Sequence, residues 1–191
     1  MKPVLSAAAA PATTHQPPGD MAAQVLHSLR QAPRRVACKF LYDQRGSDLF
    51  EQICQQEEYY LTRTELEILR RHGAEMAQHL GPGCRLVEYG SGSSIKTRFL
   101  LDHMKDPAAY VPIDISRQPL VRAARAMAAA YPGLEIVPIC GDYTRQLALP
   151  APGAPGKRTA VFFPGSTIGN FQPDEARAFL SRTRLMGGRG G

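Results

Sequence analysis

The chain has 191 residues, 43% of them apolar and 21% charged, with a formal net charge of +6. That length suits one domain with a real core, and no uninterrupted apolar run approaches the ~18 residues of a membrane-spanning helix. The basic residues are scattered, with Arg34-Arg35 and Arg70-Arg71 only pairs; a nucleic-acid partner needs clustered charge, so a solvated surface is the expectation.

Residues 1–20 are rich in Ala, Pro and Thr, and are expected to be a disordered tail rather than a signal peptide, since the alanine stretch is short and broken by Pro11. Residues 21–82 read as a helical region. A weak helix is predicted over about 21–31. Lys39 to Asp43 then leads to Gly46-Ser47, read as a turn and N-cap, before a helix with Leu49, Phe50, Ile53 and Cys54 on one face. Thr62 and Glu65 have capping-box spacing, and the helix they would open places Leu66, Leu69, Met76 and Leu80 on one side before Gly81-Pro82-Gly83.

From Cys84 the pattern alternates. Strands are predicted at 84–89, 110–115, 134–139 and 159–163, with helices at about 97–104, 119–131 and 173–186. Alternation of this kind gives an α/β doubly wound parallel sheet, Rossmann-like, of order 3-2-1-4, over residues 83–191. Ligand should bind beyond Glu88–Gly92 and Gly165–Asn170, where the strand order reverses. The chain ends soon after a helix where a further strand is expected, leaving the fourth strand as an open parallel edge; this predicts an incomplete domain, poorly folded alone. The four cysteines show no C-x-x-C spacing and are expected to be reduced thiols of a cytoplasmic protein, with no metal site.

The first strand ends in Leu86-Val87-Glu88-Tyr89-Gly90-Ser91-Gly92-Ser93-Ser94-Ile95-Lys96. Its glycines permit a tight turn and close backbone approach to a ligand, and the helix start offers free N–H groups. Glu88 would repel a pyrophosphate and welcome an ammonium, and Ser94 stands where a dinucleotide fingerprint has its third glycine. Both points favour S-adenosylmethionine over NAD. Asp114, about 20 positions after the glycine turn, is placed to accept both ribose hydroxyls. In Gly141-Asp142-Tyr143, Asp142 can accept from an adenine amino group, with the Tyr143 N–H beside it; an ordinary Asp turn reads nearly as well. Pro164 to Asn170 follows the fourth strand and suits an acceptor site, but it is not the Asn-Pro-Pro-aromatic motif of nucleobase methylases.

Four motifs in order, Tyr42-Asp43-x-x-Gly46-Ser47-x-Leu49-Phe50, Glu58-Tyr59-Tyr60-x-Thr62-Arg63-Thr64-Glu65, Glu88-x-Gly90-Ser91-Gly92-Ser93-Ser94-x-Lys96-Thr97 and Gly165-Ser166-Thr167-Ile168-Gly169-Asn170, resemble the histidine-specific Nα-methyltransferases of ergothioneine biosynthesis. The resemblance implies S-adenosylmethionine-dependent trimethylation of the α-amino group of L-histidine to hercynine. It implies that Gly90, Lys96, Asp114, Asp142 and Tyr143 hold the cofactor, and that Tyr60, Gly165, Asn170 and Tyr42 hold histidine. No metal, nucleic acid or membrane is called for, and a monomer is expected. In the family the imidazole-reading residues lie beyond the point where this chain ends. The chain is therefore expected to be truncated, and a cofactor-binding fragment or a methyltransferase for another small amine are the alternatives.

Overall fold

The structure, a computed structural model, describes residues 19–145, 147, 149 and 158–187. Of the expected tail over residues 1–20, residues 1–18 lie outside the described residues, and Gly19 and Asp20 already belong to the first helix. Three helices come first: α1 (Gly19–Leu29), α2 (Gln44–Ile53) and α3 (Tyr60–Leu80), with a 3-10 turn at Cys38–Leu41 between the first two. The start of α2 departs from expectation. Asp43, not Gly46-Ser47, is its N-cap, and its carboxylate accepts the Gly46 amide at 2.7 Å. An aspartate can reach an amide of the first turn, which the glycine cannot do for itself. Gly46 is required instead for space, because a Cβ there would fall 1.6 Å from the carbonyl oxygen of Leu41.

The capping box also fails to form. α3 begins at Tyr60, with Tyr59 as its N-cap, so Thr62 and Glu65 are already inside it. Thr62 turns to Cys54, its Oγ1 lying 3.3 Å from Sγ, and Glu65 reaches across the molecule to a bond taken up below.

β1 (Cys84–Tyr89), α4 (Ile95–Leu101), β2 (Ala109–Asp114), α5 (Arg117–Ala130), β3 (Glu135–Ile136), β4 (Ile139–Cys140), β5 (Arg158–Phe162) and α6 (Pro173–Gly187) follow. Every described pairing is parallel. β3 and β4 lie one after the other along β2, so the order is third strand, β2, β1, β5, the 3-2-1-4 expected. The third strand is split. The register is the same on both sides of the gap, which sets Pro138 opposite Pro112. The Val137 and Gly141 amides donate to the Tyr110 and Asp114 carbonyl oxygens, so Pro112 is the residue whose missing N–H leaves a rung out of this ladder, while the nitrogen of Pro138 faces away from β2.

Burial follows strand parity. All six residues of β1 are buried, as a central parallel strand covered on both faces requires. Cys84, Leu86, Tyr110 and Ile136 pack with Ala77 of α3, Leu100 and Leu101 of α4, and Ala124 and Met127 of α5. Val87, Tyr89, Val111, Ile113 and Ile139 meet Phe179 of α6 on the other face. Gly73 lets α3 close on α4, since a Cβ there would meet the Phe99 carbonyl oxygen at 2.7 Å. Among the described residues, β5 pairs with β1 alone. No helix among them is long and apolar enough to cross a membrane.

Candidate functional site at the carboxyl ends of the strands

The loop after β1 is built from left-handed residues. Gly90, Gly92 and Ser94 have φ of 66°, 49° and 56°. Two of the three are glycines, which adopt such angles without penalty, while Ser94 is non-glycine and strained. Ser94 is held by burial and by a 2.8 Å hydrogen bond between its Oγ and the hydroxyl of Tyr110. Above the loop is open space: a Cβ on Gly92 would meet nothing within 4 Å. Within it, the buried Oγ of Ser91 has no hydrogen-bond partner among the described residues. An open cradle with an orphaned polar atom is the kind of surface that a polar ligand completes.

Asp114 ends β2 against this loop. Its Oδ2 accepts the Gly92 amide at 3.1 Å and its Oδ1 accepts the Ser116 amide at 2.8 Å. Burial pushes its pKa up, against the pull of those amides. Each oxygen keeps acceptor capacity beyond these bonds, so the two hydroxyl donors of a ribose diol fit this acceptor pair. The Ser116 hydroxyl donates to the Tyr42 carbonyl oxygen, which draws the Tyr42 backbone to the same corner. Burial raises the Tyr42 pKa, with Cys38, Tyr59, Cys54 and Asp114 contributing electrostatically.

Asp142 follows β4, and the Gly141 amide donates to the Asp114 carbonyl oxygen at 2.9 Å. The Asp142 carboxylate is 2.7 Å from the ammonium of Lys39 and accepts from Thr144 through both amide and hydroxyl, at 2.9 and 2.5 Å. Burial alone would raise its pKa, yet the Lys39 and Thr144 donors hold it below the ordinary carboxylate value. The Tyr143 ring belongs to the core, with centroids 5.4 Å from Tyr89 and 5.5 Å from Phe163. Burial drives its hydroxyl pKa well upward. What Tyr143 leaves for a ligand is backbone.

Lys96, in the first turn of α4, and Gly165, after β5, are joined by Glu65. The carboxylate is 2.5 Å from Lys96 Nζ and accepts the Gly165 amide at 2.7 Å. So Gly90, Lys96, Asp114, Asp142, Tyr143, Tyr42 and Gly165 gather along one edge of the sheet. Tyr60, at the start of α3, and Asn170, at the end of the 3-10 turn Thr167–Asn170, are exposed, and no described hydrogen bond ties either to that group.

Three corrections to the sequence reading concern charge. Glu88 does not face the ligand space: it is 1% exposed, accepts from the Tyr110 hydroxyl, and burial lifts its pKa to about 7. It shares parity with Leu86, so it points into the layer beneath α4 rather than out of the loop. Glu65 and Lys39, by contrast, were not singled out for the site. Glu65 carries the capping-box spacing and ends the second family motif without a site role in either, and Lys39 carries no signal at all.

A parallel sheet of this order, with a glycine loop after its central strand and carboxylates after the next two, is a class I, Rossmann-like methyltransferase architecture preceded by helices. The comparisons carry the assignment further. The family model for "Histidine-specific methyltransferase, SAM-dependent" matches residues 21–190. The histidine N-alpha-methyltransferase of Mycolicibacterium smegmatis is 44% identical over 171 residues, covering 85% of this chain and 52% of that protein. Its counterpart from Mycobacterium tuberculosis is 42% identical, covering 82% and 49%. Ergothioneine biosynthesis protein 1 of Neurospora crassa is 35% identical over 79% of this chain and 18% of its own length. This chain belongs to the S-adenosylmethionine-dependent histidine-specific methyltransferase family. It spans about half the length of the two bacterial relatives it matches.

Proposed function

We propose that this chain carries the cofactor-binding part of an enzyme that uses S-adenosylmethionine to methylate the α-amino group of L-histidine, giving hercynine. The observation that carries the reading is the convergence of Asp114, the Gly90–Gly92 loop and the Glu65-linked pair Lys96 and Gly165 on one edge of the sheet. When bound, the cofactor supplies a methyl group activated by its sulfonium. Asp114 would accept the ribose hydroxyls, Asp142 the adenine amino group beside the Tyr143 amide, and Lys96 the carboxylate of the methionine part, over the Gly90 turn. Residues 83–191 would form this cofactor unit.

Residues 21–82 would supply part of the acceptor site, through Tyr42 and Tyr60, facing Gly165 and Asn170 from the sheet. Hydroxyl, amide and backbone groups of this kind can orient a neutral amine without adding charge beside a sulfonium, and orientation is most of what an in-line displacement asks of a protein. A cytoplasmic monomer that acts on small molecules, without nucleic-acid or membrane partners, completes the proposal.

The test is an incubation of the whole protein that contains this sequence with S-adenosylmethionine and a mixture of free amino acids, read by mass spectrometry, beside the 191-residue chain, which is expected to form no methylated product. Mono-, di- and trimethylated histidine, with no other amino acid methylated, is the expected result. Methylation of another amine would sink the substrate claim and leave the fold untouched. The half-length match favours one second reading, in which this chain binds cofactor but turns nothing over; cofactor binding by calorimetry without any methylated product is its signature.

A further inference from the structure

Glu65 joins parts of the chain that are far apart in sequence and adjacent in function. It lies on α3, yet Oε2 is 2.5 Å from the Lys96 ammonium on α4 and Oε1 accepts the Gly165 amide at 2.7 Å. The side chains of Lys96 and Glu65 are 22% and 25% exposed, so water screens the pair only partly. The acceptor loop needs such an anchor. Gly165 and Ser166 both have positive φ, 89° and 57°, which takes the backbone out of any regular ladder just as it leaves β5. A Cβ on Gly165 would fall 3.4 Å from Lys96 Nζ, so the ammonium lies against the loop backbone itself.

The charges matter as much as the geometry. Lys96 stands on the cofactor side of the cluster, where a bare ammonium would add positive potential to a space meant for a cation. S-adenosylmethionine carries a sulfonium; its demethylated product carries a neutral thioether. We propose that Glu65 is a positioning residue that locks Lys96 and Gly165 into one unit and, by offsetting the Lys96 charge, favours the cationic methyl donor over the neutral product. The inference rests on the cofactor reading above.

The discriminating measurement is the pair of dissociation constants for S-adenosylmethionine and S-adenosylhomocysteine, by calorimetry, in the wild-type protein and in Glu65→Gln. Glutamine keeps the shape and an acceptor for the Gly165 amide but removes the charge. The expected result is a loss of roughly fivefold for the sulfonium ligand, as a partly screened charge contact implies, with the thioether changed less than about twofold. Lys96→Met is the second variant. It should move the ratio of the two constants the other way, because Glu65 then stands uncompensated. Equal shifts for both ligands in both variants, or no shift, would reduce Glu65 to a structural tie between helices and overturn the proposal. Failure of the wild-type protein to bind either ligand would instead remove the cofactor reading, and this inference with it.

A ligand-free readout tests the positioning role separately. Amide exchange at Gly165 should accelerate at least tenfold in Glu65→Ala, in which the acceptor is gone, and stay near wild type in Glu65→Gln. Unchanged exchange in the alanine variant would show that the loop does not depend on Glu65.

Discussion

Glu88 offers the sharpest physical test of the fold beneath the glycine loop after β1. It is 1% exposed, and burial lifts its pKa to about 7, from an ordinary value near 4.5. The hydroxyls of Thr97 and Tyr110 and the charge of Lys96 pull the other way, and Asp114 adds a little repulsion. Between about pH 4.5 and pH 7 the unfolded chain gives up this proton while the folded chain keeps it, so stability falls as pH rises through that window. Below it, both states are protonated and nothing is lost. Above it, the full difference is felt, about 3 kcal/mol for two and a half units at about 1.4 kcal/mol each. Glu88→Gln replaces the titrating acid with a neutral isostere that still accepts from Tyr110. Its extra N–H group needs a partner in the core and costs about 1 kcal/mol. The variant should therefore be about 2 kcal/mol more stable than wild type at pH 8, and equal or less stable at pH 4.5. Urea unfolding at both pH values, followed by circular dichroism, measures the difference. A gap between variant and wild type that is the same at pH 4.5 and pH 8 would refute the reasoning, because it would mean that Glu88 titrates alike in the folded and unfolded chain.

Two further outcomes follow from the geometry. Asp114→Asn should weaken S-adenosylmethionine binding by about 1–3 kcal/mol, the scale of lost charge-assisted hydrogen bonds, and an unchanged calorimetric dissociation constant would remove Asp114 from the site. Gly46→Ala puts a methyl 1.6 Å from the Leu41 carbonyl oxygen, so the chain around Asp43 must shift; a loss of about 1–3 kcal/mol in unfolding free energy is expected, and a variant as stable as wild type would mean that this turn relaxes freely.

What the sequence disclosed, and what it hid, divides along the range of the interaction. The order of the sheet was legible because each strand announces itself locally, as in Leu86-Val87 or Tyr110-Val111, and because crossovers between parallel strands leave few topologies open. The break in the third strand was less legible, because Pro112 opens it by offering no N–H to the Val137 carbonyl, and register alone decides that Pro112 faces this strand. Helix starts were less legible. Asp43 and Ser47 are both good N-cap residues, and which one serves depends on the space that Gly46 leaves against Leu41. Asp114 was placed correctly relative to the glycine turn because βαβ geometry fixes that spacing.

Glu65 and Glu88 show why the remainder is hidden, and for one reason. Thr62-x-x-Glu65 satisfies a local rule, whereas the partners that claim Glu65 are Lys96 and the Gly165 amide, the latter 100 positions away. Glu88 is near the glycine turn in sequence, but parity puts it on the Leu86 side of β1, under α4. In each case the nearest feature along the chain does not decide the carboxylate's role; a charge in a protein interior is governed by whatever desolvates it and whatever neutralises it. The two carboxylates then fall into complementary roles. Glu88, buried with its pKa raised to about 7, shores up the strained Ser94 through Tyr110, while Glu65, paired and only partly buried, ties α4 to the loop after β5. The glycine loop is thus held from below by an acid whose burial favours its protonated form, and from the side by one held against a lysine, an arrangement that keeps net charge low around a space proposed for a cation.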